Sequence, residues 1–263
     1  MLGAIVGDII GSCYERRCVK ITDFPLFLTG VSRFTDDTVL TVAVAACLLG
    51  HGEYTDLFHK YHDAFPHAGY GGCFRQWATN KSRVPYGSWG NGSAMRVSPV
   101  AWAGNDLADV TAEAERSASV THNHPEGIRG AQAIAVAVLL ARQKATKDDI
   151  RRQIQGAFGY DLDRSLATIR KTYRFDVSCQ GSVPESILAF LESSDYESAI
   201  RNAVSLGGDA DTMACMAGGI AEAFYGGVPP VIEQRAIGLL DPRLREVVDE
   251  FRARFMGLPT GGS

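Results

Sequence analysis

Two short acidic motifs, far apart in the chain, carry the clearest chemical signal in the sequence. TDDT occupies residues 35–38 and DADT occupies residues 209–212, and each stands directly before an apolar segment. Asp and Thr at such positions can cap a helix and interact favourably with its dipole. One cap needs only one side chain, however, whereas each motif supplies two carboxylates. A metal site is therefore the second interpretation of the same residues.

Bringing these four carboxylates together requires a positive charge between them. Two like charges about 4 Å apart repel by roughly 4 kcal/mol at an effective dielectric constant near ~20. A divalent cation turns that repulsion into attraction. Carboxylates and Thr hydroxyls are oxygen donors, which favour Mg²⁺ or Mn²⁺ over Zn²⁺. The pattern thus indicates a site for a hard cation, on the condition that the fold brings the two motifs together.

A glycine-rich segment, YGSWGNGS at residues 86–93, is a candidate for binding another part of a ligand. Its backbone N–H groups have little side-chain cover, which suits a phosphate or diphosphate at a helix start. Trp89 could stack on a ring. The competing interpretation is an ordinary tight turn with Trp89 as hydrophobic cover.

The segment THNHPE at residues 121–126 offers two histidines and a glutamate. His122, His124 and Glu126 would suggest a zinc site, but no Cys or third His follows at the usual spacing. We therefore expect polar capping of a helix start, with one imidazole able to donate to a phosphate oxygen. Glu15 is interpreted as a cap or a surface charge unless the fold brings it to the metal cleft.

The elements that position these residues have helical periodicity, which predicts an all-α protein. Apolar stretches bounded by Gly or Pro predict helices at residues 38–49, 126–143, 186–192, 196–205, 212–225 and 243–255. The alternation typical of strands is nearly absent, and residues 177–179 come closest to it. Neither a fixed repeat nor a linker divides the chain, so we expect one domain over residues 1–263.

The composition is that of an ordinary globular protein, with 46% hydrophobic and 21% charged residues. A net charge of −4 argues against a dedicated nucleic-acid or anionic-membrane binder. Asp8 interrupts the first apolar run, and no stretch reaches the ~20 apolar residues of a membrane span, so neither a signal peptide nor a span is predicted. Six cysteines without a C-x-x-C pair predict reduced thiols and a cytoplasmic location. A monomer is the default expectation.

Five segments resemble the ADP-ribosylglycohydrolases, the family of dinitrogenase-reductase-activating glycohydrolase, and occur in the same order: GDIIGSCYE, FTDDT, GSWGNGSAMR, THNHPEG and GGDADT. The resemblance runs from Gly3 to about Gly226. It implies a compact, single-domain, orthogonal helical fold with a cleft for two Mg²⁺ ions, for which Mn²⁺ could substitute. It also implies an enzyme that releases ADP-ribose from a modified acceptor by hydrolysis at the anomeric carbon.

The resemblance further implies roles for individual residues. The metal ligands would be Thr35, Asp36, Asp37, Asp209, Asp211 and Thr212. The diphosphate and ribose would be bound by Gly87, Ser88, Trp89, Gly90 and Asn91, with His122 beside them. Proton transfer would fall to Glu15 for an O-glycosidic bond, or to an Asp of the metal cluster for an arginine N-glycoside. Asp36 and Asp211 are expected to be essential for turnover.

Two other functional classes remain open at this point. A non-catalytic ADP-ribose binder, or a crystallin-like relative, would keep the fold and lose catalytic ligands. A Mg²⁺-dependent nucleotide phosphatase would share the carboxylates and release inorganic phosphate. The acceptor is also open between arginine, serine, a nucleic-acid end and a small molecule. Its choice would depend on the cleft rim, for which Tyr14 and residues 65–70 are candidates.

Overall fold

Helices make up the architecture of this protein. A computed structural model describes residues 1–257, and residues 258–263 of the predicted domain lie outside the described part. The helices are α1 Leu2–Gly11, α2 Asp36–Leu48, α3 Tyr54–Ala64, α4 Gly72–Thr79, α5 Gly92–Met95, α6 Ser98–Ala103, α7 Leu107–Ser119, α8 Pro125–Arg142, α9 Lys147–Phe158, α10 Leu166–Thr172, α11 Cys179–Leu191, α12 Tyr196–Val204, α13 Ala210–Tyr225, α14 Pro230–Ile237 and α15 Pro242–Phe255. Residues 1–257 contain no strand, so the prediction of an all-α fold is confirmed.

Helices α1 and α13 form the centre of the fold. Every residue of α1 is buried, and α13 is buried from Ala210 to Ala223. Helices α2, α5, α8, α11 and α12 pack around this pair. A helix that is apolar on all sides is stable only in such surroundings. The buried apolar side chains of the described residues form one continuous core.

The predicted helices are found close to their expected bounds, with one exception. Helix α11 begins at Cys179, whereas the sequence pattern predicted a start at residue 186. Its true start is capped by Ser178, whose side chain accepts a hydrogen bond from Gly181 N at 3.1 Å. Pro184 lies inside the helix rather than before it. The cap was overlooked because it precedes the proline.

The structure tests two further expectations, the absence of a membrane span and the absence of disulfide bonds. Within residues 1–257, no helix combines the length and apolarity needed to cross a membrane. All six cysteines are unpaired, four of them buried and two exposed.

Candidate active site

Close packing of α1 on α13 positions the first acidic side chains. Gly3, Gly7 and Gly11 recur every four residues and therefore face α13 together. A Cβ atom at Gly7 would lie 2.1 Å from Ala214 O, and one at Gly11 would lie 2.4 Å from Asp211 Cα. Only glycine permits this approach, which sets the α1 face that carries Asp8 against the first turn of α13.

Asp8 ties the first motif to α1. Its carboxylate accepts hydrogen bonds from Thr35 N at 2.9 Å, from Thr35 Oγ1 at 2.7 Å and from Thr38 N at 3.1 Å. The Thr38 hydroxyl donates to it as well. Thr35 is also the N-cap of α2, because its side chain accepts from Asp37 N at 3.3 Å. Asp36 and Asp37 are thereby held in the first turn of α2.

The second motif meets the first at the start of α13. Thr212 Oγ1 donates to Asp37 Oδ2 at 3.4 Å, a contact between residues 175 positions apart in the chain. Asp209 precedes the helix and accepts from Asn91 Nδ2 at 2.8 Å. The helix-capping interpretation therefore accounts for Thr35, but it does not account for the carboxylates that face one another.

These carboxylates form two groups that share one member. Oxygen atoms of Asp8, Asp37 and Asp211 lie within 4.8 Å of one another, and oxygen atoms of Glu15, Asp209 and Asp211 do the same. Asp8 was not among the predicted ligands. A charged residue inside an otherwise apolar helix was the available signal, since Asp is almost never fully buried without partners.

Burial and mutual repulsion make this cluster unstable without a counter-ion. Burial raises the pKa of Asp8 to about 6. Burial, followed by the charge of Asp8, raises the pKa of Asp36 to about 8. The same two causes raise the pKa of Asp37 well above its usual value. Burial, followed by the charge of Asp209, raises the pKa of Asp211 well above its usual value.

The donor set fits a divalent cation. None of the ion pairs found in residues 1–257 involves these Asp side chains, so no Lys or Arg neutralises them. Asp37 Oδ1 is buried and has no hydrogen-bond partner, which leaves it available as a ligand. Carboxylate and hydroxyl oxygens are the donors that Mg²⁺ and Mn²⁺ prefer.

The cluster lies in the wall of a cavity of about 460 Å³, within the range of small-molecule sites. All of the predicted metal ligands line it, together with Glu15 and part of the predicted substrate loop: Ser88, Gly90, Asn91 and His122. Gly87 and Trp89 are not in the lining. The Trp89 side chain is 54% exposed, with its ring edge-on to His124 at a centroid distance of 5.8 Å.

Residues 177–179, the closest approach to a strand in the sequence, hold the glycine loop in place. Asn91 N donates to Val177 O at 2.8 Å, and Cys179 N donates to Trp89 O at 2.9 Å. An isolated antiparallel bridge joins Gly90 to Ser178. Backbone hydrogen bonds therefore hold the loop in place. The N–H group of Asn91 donates within the protein and is not free to bind a ligand.

Comparison with known proteins supplies the family. The sequence model of the ADP-ribosylglycohydrolase family matches residues 1–259. This chain belongs to that family. It is similar to ADP-ribosylhydrolase ARH3 of Gallus gallus, 27% identical over 89% of this chain and 87% of that protein. It is also similar to ADP-ribosylarginine hydrolase Tri1 of Pseudomonas putida, 25% identical over 88% of this chain and 71% of that protein.

A solved structure agrees with the family assignment. It is described as an ADP-ribosylglycohydrolase-related protein complex and superposes with a TM-score of 0.69 at 25% identity. The match covers 96% of this chain and 94% of that chain. The resemblance found in the five sequence segments is thus confirmed, and so is the fold that it implied.

In this ADP-ribosylglycohydrolase family member, a hydrogen-bonded chain of three side chains ends at the cavity. Arg96 is fully buried, and its Nη2 donates to Thr121 Oγ1 at 2.9 Å. Thr121 Oγ1 lies 2.8 Å from His122 Nδ1. Arg96 can only donate, so Thr121 Oγ1 accepts from it, and the Thr121 hydroxyl keeps one proton to donate to His122 Nδ1 or to the neighbouring Tyr86 side chain.

A Thr121 hydroxyl that donates to Nδ1 places the ring proton of His122 on Nε2. Burial, followed by the charge of Arg96, holds the pKa of His122 well below its usual value, so the ring is neutral. A neutral imidazole that accepts at Nδ1 carries its proton at Nε2. A Cβ atom at Gly92 would lie 3.1 Å from Nε2, and glycine leaves that space free. In this tautomer His122 presents a hydrogen-bond donor at the cavity wall.

The end of the THNHPE segment serves the helix start, as the sequence predicted. His124 is the N-cap of α8, with Nδ1 accepting from Glu126 N at 3.1 Å. Glu126 pairs with Arg129 at 2.8 Å. Tyr14, by contrast, departs from its expected place at the cleft rim. It is buried, because its ring packs against Phe24 and its hydroxyl donates to Pro25 O.

Proposed function

We propose that this chain is a Mg²⁺-dependent hydrolase that releases ADP-ribose from an ADP-ribosylated acceptor, with Mn²⁺ as a substitute ion. The observation that carries the proposal is the pair of carboxylate groups, joined through Asp211, in the wall of a cavity that also presents the glycine loop. Relatives named for ADP-ribosyl hydrolysis support the reaction class. The proposal includes a single ADP-ribosylglycohydrolase-like domain over residues 1–263.

The proposed ligands of two cations are Thr35, Asp36, Asp37, Asp209, Asp211 and Thr212. When bound, the cations supply Lewis acidity and a fixed template for the ribose hydroxyls. Asp8 holds the first motif in place through its hydrogen bonds to Thr35 and Thr38. Asn91 holds the second motif in the same way through Asp209. These two residues act as positioning residues for the cluster.

Glu15 is the proposed proton-transfer residue for an O-glycosidic bond. Its side chain is only half-buried, and one carboxylate oxygen lies near Asp209 and Asp211. From this place it can protonate a leaving oxygen while oxocarbenium character develops at the anomeric carbon. For an arginine N-glycoside, an Asp of the cluster takes this role. Asp36 and Asp211 remain the proposed essential members.

The diphosphate is proposed to contact the glycine-loop wall of the cavity. Gly87 N donates to Asn123 Oδ1 at 2.9 Å, and Gly90 N donates to Ser88 Oγ at 3.1 Å, so these N–H groups are used within the protein. The Ser88 hydroxyl accepts there and keeps its own proton for a ligand. The Ser88 hydroxyl and His122 Nε2–H are the proposed hydrogen-bond donors to the diphosphate. Gly87 and Trp89 are proposed to contact the substrate from the rim of the cavity.

The cellular setting is part of the same proposal. Six unpaired cysteines support a reducing compartment, and we propose the cytoplasm. We also propose a monomer, with no membrane partner, that meets nucleic acid only as a modified acceptor.

The test is release of free ADP-ribose from arginine-linked and serine-linked ADP-ribosyl peptides, measured in Mg²⁺ and again in EDTA. We expect metal-dependent release from at least one peptide, and that peptide names the acceptor. Release of inorganic phosphate from nucleotides, without ADP-ribose release, would show a phosphatase instead. Binding of ADP-ribose without turnover of either peptide would indicate another acceptor or a binding protein.

A further inference from the structure

A second cavity, of about 540 Å³, adjoins the first at Glu15. Glu15, Arg16 and Phe175 line both cavities, whereas Cys18, Arg174 and Gly207 line only the second. A substrate whose ADP-ribose fills the first cavity has its scissile bond near Glu15, and its acceptor then continues into the second. We call the second cavity, with the flanking residues 16–20 and 170–175, the acceptor groove.

Basic residues flank the acceptor groove, and two of them, Arg16 and Arg174, line its cavity. Residues 16–20 and 170–174 contain no acidic residue and three basic residues each: Arg16, Arg17, Lys20, Arg170, Lys171 and Arg174. Lys20 joins the two segments, because its Nζ donates to Tyr173 O at 2.8 Å and to Leu206 O. Burial lowers the pKa of Lys20, and the nearby charges of Arg174 and Arg170 add to that effect. The two segments thus lie side by side.

These basic side chains form no ion pair in the part of the chain that the structure describes, although Glu15 lines the same cavity. None of the ion pairs within residues 1–257 involves any of the six basic side chains. Arginines elsewhere are commonly paired, for example Arg164 with Glu185 at 2.7 Å. In a protein of net charge −4, uncompensated positive charge at the mouth of the candidate active site indicates an anionic partner.

We propose that the acceptor groove binds the acceptor side of the substrate and selects an acidic protein segment next to the ADP-ribosylated residue. The inference rests on the proposed function and names its substrate class. Phe175, whose side chain is 55% exposed, offers an apolar contact among the arginines. A peptide fits better than a nucleic acid, because the positive charge is confined to two short segments. A long polyanion would continue onto a surface of net negative charge.

The experiment compares ADP-ribosylated peptides that carry the same modified residue between Glu and Asp, between Ser and Gly, or between lysines. We expect kcat/KM to be at least tenfold higher for the acid-flanked peptide than for the lysine-flanked one, and to lose this difference at high salt. The double variant Arg17→Glu/Arg174→Glu should reverse the order. Lys60→Glu/Arg254→Glu, an equal charge change at two exposed residues outside both cavities and outside residues 16–20 and 170–175, should keep it.

Binding of labelled, unmodified peptides, followed by fluorescence anisotropy, separates this inference from the proposed function. Binding of the acidic peptide that is lost in Arg17→Glu/Arg174→Glu supports the acceptor groove. It does so even when no peptide releases ADP-ribose, and that absence of release would count against the proposed function alone. Release that is equal for all three peptides, or unaltered by the double variant, overturns the groove alone. Tighter binding of a single-stranded oligonucleotide than of the acidic peptide also overturns it.

Discussion

The two walls of the cleft are built in different ways. The carboxylate wall stands on the ends of α1, α2 and α13, where the side chains are buried and hydrogen-bonded to one another across the chain. The other wall is made of residues 86–91 and 173–178, which lie in loops with exposed Trp89, Phe175 and Val177 side chains. Backbone pairing between the two loop segments holds this second wall.

The difference separates the chemistry from its specificity. Helix packing and hydrogen bonds hold the carboxylates in place, as a site for bound cations requires. It does so at the cost of burying like charges, which destabilises the protein until a cation binds. The loop wall carries no such cost and can vary in sequence without disturbing the core. We therefore expect substitutions in the first wall to change turnover and stability, and substitutions in the second to change substrate binding.

The largest effect is expected from Asp36→Asn or Asp211→Asn. Each removes a proposed ligand, and losing about 4 kcal/mol of transition-state stabilisation lowers turnover by ~10³-fold. Because one buried like charge is also removed, the cation-free variants should melt at or above the wild-type temperature. Turnover and circular dichroism melts measure both effects. Glu246→Gln, at an exposed acidic residue, is the matched control and should change neither.

The next effect tests the close contact that supports the carboxylate wall. Gly7→Ala places a methyl group against the backbone of Ala214. Such overpacking should destabilise the protein by about 3 kcal/mol and weaken cation binding as α1 moves away. Gly156→Ala, on α9 with nothing within 4 Å of the added Cβ, should instead stabilise it by ~0.5–1 kcal/mol. Urea denaturation measures the free energy of unfolding of both variants. An unchanged free energy of unfolding in Gly7→Ala would show that α1 and α13 are not in tight contact.

A smaller effect is the pH dependence of cation binding. Asp8 and Asp36 have pKa values raised to about 6 and about 8, so the folded, cation-free protein retains protons that the unfolded chain has lost. Its stability from these groups therefore falls as pH rises from about 4 towards about 8. Cations bind the deprotonated form, so the thermal shift produced by Mg²⁺ should grow from pH 6 to pH 8. A shift independent of pH would contradict a carboxylate site.

The smallest effect concerns the loop wall. Thr121→Val removes the hydroxyl between Arg96 and His122, so the His122 proton is no longer fixed on Nε2. We expect KM to rise by about tenfold, equal to ~1.4 kcal/mol, with a smaller change in kcat. The ¹⁵N chemical shifts of the His122 ring should show Nε2–H in the wild type and a mixture of tautomers in the variant. Thr111→Val is the control, because the Thr111 hydroxyl donates to Leu107 O within its own helix.

Sequence reasoning succeeded where chemistry and local pattern coincide. The acidic motifs mark helix starts by capping, so the positions of Asp36 and Asp211 could be predicted along with the helices that carry them. Asp8 was missed because its importance depends on α1 packing against α2, a contact that periodicity does not report. The acceptor groove was missed for the same reason. Residues 16–20 and 170–174, the latter including the end of α10, are ordinary basic segments until the fold places them together.

Calorimetric titration of the cation-free protein with Mn²⁺ at pH 8 tests the central claim most directly. We predict two bound ions per chain for the wild type. Asp37→Asn should weaken one site and Asp209→Asn the other, whereas Asp211→Asn should weaken both, because its carboxylate belongs to both groups. Absence of cation binding by the wild type, or unchanged binding by Asp211→Asn, would contradict the account.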